Sequence, residues 1–380
     1  MRSCIGLFMS SCIILFAGSS SFALPRFALM QGAKCQSCHL NPTGGGIRND
    51  FGTTYSIDKL PLESTRDSEF TFTGKLNDNI SIGGDTRGQF IYDKGSATTG
   101  FQTMTTAIYG SVHINKKYYF YFKQDLVNPG YGPLTGPELF GLAKILPGGW
   151  YVKGGVFMPN FGWRLDDHTA YTRGGDLGYV NGSFYQQGLI FLPNYKDVGV
   201  EVGGYIGDLF ITGGLFNGDG NLTQISMKKS KAYAVKAEYS GVFSDLNFTI
   251  GVSGYGYDVM SIAGVNAGFG FGDFTLLGEF DVTKDYATGN PAVDSLNPGG
   301  NTMAAHGEID YRITQGIWLI GMFDVFDPIQ GIASTDLKRI TFGAEFFPYP
   351  FVELRPQYRH SMGSDDVTND QALVQMHLWF

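Results

Sequence analysis

The sequence is poor in cysteine, in charge and in long apolar runs. It holds four cysteines in 380 residues, only 16% of its residues are charged, and its net charge is −8. An acidic balance removes the basic footprint that binding to DNA or RNA requires, so no nucleic-acid partner is expected. Beyond the first two dozen positions no window offers the 18 or so apolar residues of a membrane helix. That excludes a helical membrane bundle. It leaves the other structure that satisfies every backbone polar group in lipid, a closed β-barrel. P-loop, G-x-S-x-G and H-E-x-x-H patterns are missing too, and the "GFGFG" run lies in strand pattern rather than before a helix.

What is abundant is glycine, at 54 residues, and aromatics, at 15%. The front of the chain is separate from this pattern. Arg2, the apolar stretch Cys4 to Ala17 and the small residues ending at Ala23 form a secretory signal with cleavage after Ala23. Removing residues 1–23 removes Arg2, Cys4 and Cys12, takes the charge to −9 and leaves only Cys35 and Cys38.

From about residue 79 to the end the hydrophobic pattern has period two. Glu308, Asp310 and Arg312 alternate with Ile309, Tyr311 and Ile313; Glu353, Arg355, Gln357 and Arg359 alternate with Val352, Leu354 and Tyr358. Arg339, Thr341 and Glu345 oppose Ile340, Phe342, Ala344 and Phe346, and "YYFYFKQD" and "AYAVKAEY" repeat the scheme. A soluble sandwich would use strands of about 5–6 residues, whereas these run to about ten, the length of a tilted membrane-spanning strand. Tyr118-Tyr119, Tyr255-Tyr257 and Phe347-Tyr349 stand near segment ends, where aromatic girdles belong. The expected fold is therefore all-β, a transmembrane antiparallel barrel with a polar lumen.

Loop lengths set the strand number, because such barrels alternate short periplasmic turns with long outer loops. Long insertions at 93–101, 127–137, 161–195, 217–229, 285–301, 327–336 and 361–370 alternate with short turns at 115–117, 146–149, 207–208, 241–245, 272–273, 314–316 and 348–350. Rising at Ile80 and descending to Phe380 gives about 16 strands with both ends in the periplasm; counting "EFTFTGKLN" (69–77) or "GLIFLP" (188–193) differently gives 14 or 18. The last strand, "QALVQMHLWF", puts Ala372, Val374, Met376, Leu378 and Phe380 on one face. Its aromatic end resembles the assembly signal of bacterial outer-membrane proteins.

The chemistry-bearing motif is Cys35-Gln36-Ser37-Cys38-His39. C-x-x-C-H is the c-type haem attachment pattern. Two thiols at this spacing form thioethers to the haem vinyl groups, and the adjacent imidazole binds the iron as proximal ligand. A redox-active disulfide would want a βαβ context, which glycine-rich flanks do not supply. A zinc site would need further ligands, and the next histidine is His113. One covalent haem c is expected. Spacing leaves the sixth ligand open: Met30 and the inward-facing His377 are candidates, as is an open position. The segment 24–66 is a small helical haem-bearing piece, near the lower size limit for independent folding, so it is expected to plug or cap the barrel 79–380, with 67–78 as an extended connection. "NPTGGG" reads either as a tight return path from the motif or as a plain linker. Asp166, Asp167 and His168, in "RLDDHTAYTR" on the longest outer loop, carry groups able to hold Fe(II) transiently.

With "LPRFALMQGAKCQSCH" near its front, "NDFG" at 49–52 and a barrel to the end, the chain resembles the outer-membrane cytochrome–porin fusions associated with iron oxidation. The resemblance rests on Cys35, Cys38, His39, Pro25 and Phe27. It implies one-electron transfer across the bacterial outer membrane, from extracellular Fe(II) to a periplasmic cytochrome or other redox protein. The alternative is a solute or ion porin with a haem-bearing plug, its selectivity tuned by lumen charges at Lys236, Glu238, Glu308, Arg312, Arg339, Arg355 and Arg359.

Overall fold

The computed structural model describes residues 25–65, 72–127, 136–165, 169–180, 183–191, 195–220, 222, 228–332, 335–363 and 368–380. Its strands are β1 (Ile80–Asp93), β2 (Thr98–His113), β3 (Tyr118–Val127), β4 (Glu138–Ala143), β5 (Tyr151–Phe157), β6 (Leu177–Val180), β7 (Ser183–Gln186), β8 (Asp197–Ile206) and β9 (Leu209–Phe216). They continue with β10 (Ala232–Phe243), β11 (Leu246–Tyr257), β12 (Met260–Phe271), β13 (Phe274–Lys284), β14 (Met303–Thr314), β15 (Ile317–Asp327), β16 (Leu337–Tyr349), β17 (Val352–Met362) and β18 (Thr368–Trp379). All but β6 and β7 form one closed antiparallel barrel of sixteen strands. Closure comes from β1 against β18, with Asp85 opposite Trp379 and Asp93 opposite Gln371.

Period-two alternation dictates the wall. On β12, Val265 faces outward at 54% exposure while its neighbour Asn266 is buried inside. Val252 and Phe280, on the two flanking strands, extend the outward apolar band. The inward face carries Lys236, Glu238, Glu279, Asp281, Glu308, Arg339, Glu345 and Arg355, all buried. An apolar exterior around a charged interior inverts the soluble pattern and suits a wall that meets hydrocarbon.

Two pieces of chain fill the interior. The connection from β5 to β8 folds inward and is clamped to the wall: Arg173 pairs with Glu279 at 2.6 Å, Lys236 donates to Gly162 O at 2.8 Å, and Arg339 donates to Thr169 O at 2.8 Å. Segment 25–65 enters at the short-turn end. There Leu62 N–H donates to Phe347 O, Gln315 Nε2 donates to Asp58 O and Pro61 O, and Lys34 pairs with Asp208. The "GFGFG" run makes room for it. Gly268 and Gly270 face inward on β12, and a Cβ on either would come within 2.5 to 2.6 Å of Leu29.

Several details correct the sequence reading. The 93–101 insertion is a four-residue turn, since β1 runs to Asp93 and β2 starts at Thr98. One of the connections at the long-loop end, between β11 and β12, is the two-residue turn Asp258–Val259, too short to register as an outer loop. "GLIFLP" contributes no barrel strand, and the described part of "EFTFTGKLN" offers only an isolated bridge, Lys75 to Ser81. Tyr119, Tyr255 and Phe347 are not girdle residues. All three are buried inside, because alternation sends them to the lumen face. Arg312 sits at the short-turn rim, paired with Asp273, rather than in the lumen.

A bilayer around the outward band makes a prediction. Val265→Arg should cost about 2–4 kcal/mol in a denaturant titration of barrel folded into liposomes, and less than half of that in detergent micelles, which deform around a charge.

Candidate functional site

The site starts from helix α1 (Pro25–Gln31). Arg26 is buried and its guanidinium reaches Glu345 at 2.5 Å, Glu308 at 3.6 Å and Asp310 at 3.8 Å. Phe27 stands edge-on to Trp318 and Phe347, with ring centroids 5.8 and 6.4 Å away. Charge and ring together seat α1 on the inner wall. The helix stops at Gly32, in the left-handed region, where Ala33 N–H bonds Ala28 O and Gly32 N–H bonds Leu29 O. This double closure is a Schellman cap.

Next comes the motif. Cys35–Ser37 is a single 3₁₀ turn, so Cys35 opens a tight turn rather than an α-helix. Cys38 and His39 are buried, at 3% and 8% exposure. His39 pairs with Arg48 in an antiparallel bridge that closes the "LNPTGGG" loop. Inside the loop Asn41 Nδ2 donates to Gly44 O, and Thr43 donates to Asn41 Oδ1 through both its N–H and its hydroxyl. Gly44, Gly45 and Gly46 all take positive φ, which glycine adopts without strain. The stretch is a built return path, not a plain linker. Tyr119, on β3, donates its hydroxyl to Leu40 O.

The loop aims the imidazole. His39 Nδ1 lies 3.2 Å from Gly46 O, a pairing in which the ring N–H donates to the carbonyl. Nε2 is then the basic nitrogen. Burial first, then the nearby charges of Arg48 and Arg164, pull the His39 pKa down to about 3, so the ring is neutral, the form that binds metals. Helix α2 (Asp50–Asp58) locks the motif from behind. Its cap Asn49 accepts from Gly52 N–H and donates to Ser37 O at 2.8 Å, while Asn49 N–H donates to Cys38 O at 2.7 Å. Gly52 lies directly against Cys38, and any side chain there would collide with the Cys38 carbonyl. "NDFG" is thus the brace of the motif.

Cys38 and His39 open on a cavity with about 2020 Å³ of space between atoms, part of it continuous with solvent. Phe27, Tyr55, Leu60, Phe347 and Trp379 supply its apolar lining. Trp163, Arg164 and Leu165 reach it from the inward-folded connection. His377 lines it as well, its ring tilted against Trp379 with centroids 4.7 Å apart. His377 Nδ1 lies 3.1 Å from Glu353 and 3.0 Å from Arg87 Nη2, and Nε2 lies 3.0 Å from Asp85. Met30 is half-buried and packs against the cluster that contains Cys38 and Phe27. Asp166, Asp167 and His168 lie outside the described residues.

Sequence reasoning missed Arg26, Arg48 and Arg164. Arg164 and Arg173 are the two ends of the "RLDDHTAYTR" stretch, whose middle drew the notice. Nothing local marks them. A basic residue becomes visible as a site residue only once the connection is known to fold inward.

No protein-family model matches the chain, and no curated protein matches it. Solved barrels do. The chain is similar in structure to OprB of Pseudomonas putida, at 11% identity and TM-score 0.56, over 80% of this chain and 94% of that one. It is similar to Salmonella typhi OmpF, solved in complex with daunomycin, at 13% identity and TM-score 0.56, over 80% and 98%. An anion-selective porin from Comamonas acidovorans matches at 10% identity and TM-score 0.52, over 79% and 99%. At these identities the likeness is one of fold.

Arg26→Met leaves Glu308, Asp310 and Glu345 short of a buried cation and should weaken the seating of 25–58 by about 3 kcal/mol. Hydrogen exchange should quicken across that segment, while strands β10 to β13 keep wild-type protection. Uniform exchange across both would contradict the clamp.

Proposed function

We propose that the chain is an outer-membrane c-type monohaem cytochrome–porin that carries one-electron transfer between an extracellular donor, Fe(II) being the leading candidate, and a periplasmic redox protein. The observation that supports this most is the position of the C-x-x-C-H motif. Its buried Cys38 and His39 sit inside the barrel on a cavity lined by aromatic rings.

The residues present fit a covalently attached haem. Cys35 and Cys38 would hold it through thioethers, and His39 would present Nε2 to the iron while Nδ1 stays on Gly46 O. A bound haem supplies a one-electron couple; the protein supplies ligation, burial and position. Phe27, Phe347 and Trp379 keep water from the cavity wall. Gly46 holds the imidazole plane, and α2 keeps the Cys38 backbone from moving away. One haem does not bridge an apolar band of about 25 Å. An extracellular donor therefore has to approach through the lumen from the long-loop end. The acceptor docks at the short-turn end, where segment 25–65 enters, which makes that end periplasmic. Asp166, Asp167 and His168 remain the proposed contact for a metal-ion donor, and outer-membrane lipid surrounds the wall.

The alternative, a solute or ion porin with a haem-bearing plug, draws on the barrel's likeness to porins. The lumen charges favour a filled interior instead. Lys236 pairs with Glu238 at 2.7 Å, Arg339 with Asp176 of the inward connection at 2.9 Å, and Arg355 and Arg26 share Glu345.

Anaerobic mixing of the membrane-purified protein with Fe(II), followed by the reduced-haem absorption bands, tests the proposal. Reduction within seconds is the expected result, with low single-channel conductance in planar bilayers. A bound haem that ignores Fe(II) would move the donor elsewhere, and large solute conductance indifferent to haem loss would favour the porin reading.

A further inference from the structure

Basic groups outnumber acidic ones around the cavity, in a chain whose net charge is −8. Most of them are matched. Arg26 meets Glu345, Arg173 meets Glu279, and Lys123 and Lys196 converge on Asp125 at 3.2 and 2.6 Å. Arg164 is different. Among the described residues no carboxylate lies within ion-pair distance of it, and Nη2 reaches Thr43 Oγ1 at 3.5 Å. Its guanidinium lies over the glycine loop, with Nη1 at 2.7 Å from where a Cβ of Gly45 would stand. The absent side chain of Gly45 makes that approach possible. Arg48, across the bridge from His39, lies over the Trp379 ring at 5.3 Å. Two guanidinium groups thus flank the motif within one cavity.

Resting on the cytochrome reading, we infer that Arg164, assisted by Arg48, is a carboxylate receptor, and that the carboxylate it receives is a propionate of the haem attached at Cys35 and Cys38. The planar fork of a guanidinium matches a carboxylate, and among the described residues no carboxylate occupies that of Arg164. Thr43 stands four residues beyond His39, and Arg164 lines the same cavity as Cys38 and His39. A carboxylate tethered there has an effective concentration that a free solute does not reach. The contact would also tie the inward connection to the motif and set a positive charge near the iron, favouring its reduced form.

The test uses the full-length, haem-loaded protein with Arg164→Gln and Arg164→Lys. Resonance Raman reports the propionate bending band, and a redox titration reports the midpoint potential. Arg164→Gln should shift the band and move the potential to more negative values. Arg164→Lys should restore most of the potential but not the band, since an ammonium carries the charge without the fork. A haem-loaded Arg164→Gln protein with band and potential unchanged would overturn the inference while leaving the cytochrome reading standing. Saturable acetate binding to the loaded wild type that depends on Arg164 would reassign the receptor to free carboxylates. A wild type without attached haem would end both readings, and the absorption spectrum separates that outcome from the others.

Discussion

Inward-facing charge is the constraint on which this molecule depends. A barrel of sixteen strands that turns apolar residues outward must turn its acids and bases inward, and buried charge is tolerated only when paired. Here the partners come from two pieces of chain that are not wall. Arg26 of α1 answers Glu345, Glu308 and Asp310 on three strand positions, and Arg173 of the inward connection answers Glu279. The interior is therefore filled by electrostatics first. Ring packing of Phe27, Trp318 and Phe347 then fixes the fit.

The same pairing explains why a short segment can carry a demanding motif. About forty residues cannot bury a large cofactor by themselves. Lodged against the wall, segment 25–65 borrows Trp379, Phe347 and Trp163 from the barrel and its connection. The backbone then does local work: a Schellman cap ends α1, a 3₁₀ turn places Cys35 to Ser37, three left-handed glycines return the chain, and Asn49 ties α2 to the motif. The proposed electron carrier is thus a joint product of two structures, neither of which makes the site alone.

Much of the barrel was legible because its signal is strictly local. Alternation in "KRITFGAEF" or "VELRPQYR" needs no knowledge of partners, and Arg339, Glu345 and Arg355 face inward as the pattern requires. The Cys-x-x-Cys-His spacing was equally local. What stayed hidden was set by position in space. Tyr119, Tyr255 and Phe347 carry the chemistry of girdle residues but the parity of lumen residues. Asp258–Val259 makes a two-residue turn at the long-loop end, which loop length alone does not mark as a connection. The glycines of "GFGFG" have no visible reason until Leu29 is found pressed against them. Arg164 belongs to the cavity only because a long connection folds inward, and no window of sequence shows that.

Under the cytochrome reading, the motif from Cys35 to His39 holds one haem covalently. Intact-mass measurement of the purified chain under denaturing conditions addresses it directly. A covalent haem gives the mass of the chain plus one haem, with that added mass on the peptide spanning Cys35 to His39. A chain at its bare polypeptide mass, with both thiols open to alkylation after unfolding, would contradict it and leave a sixteen-stranded barrel whose plug does other work.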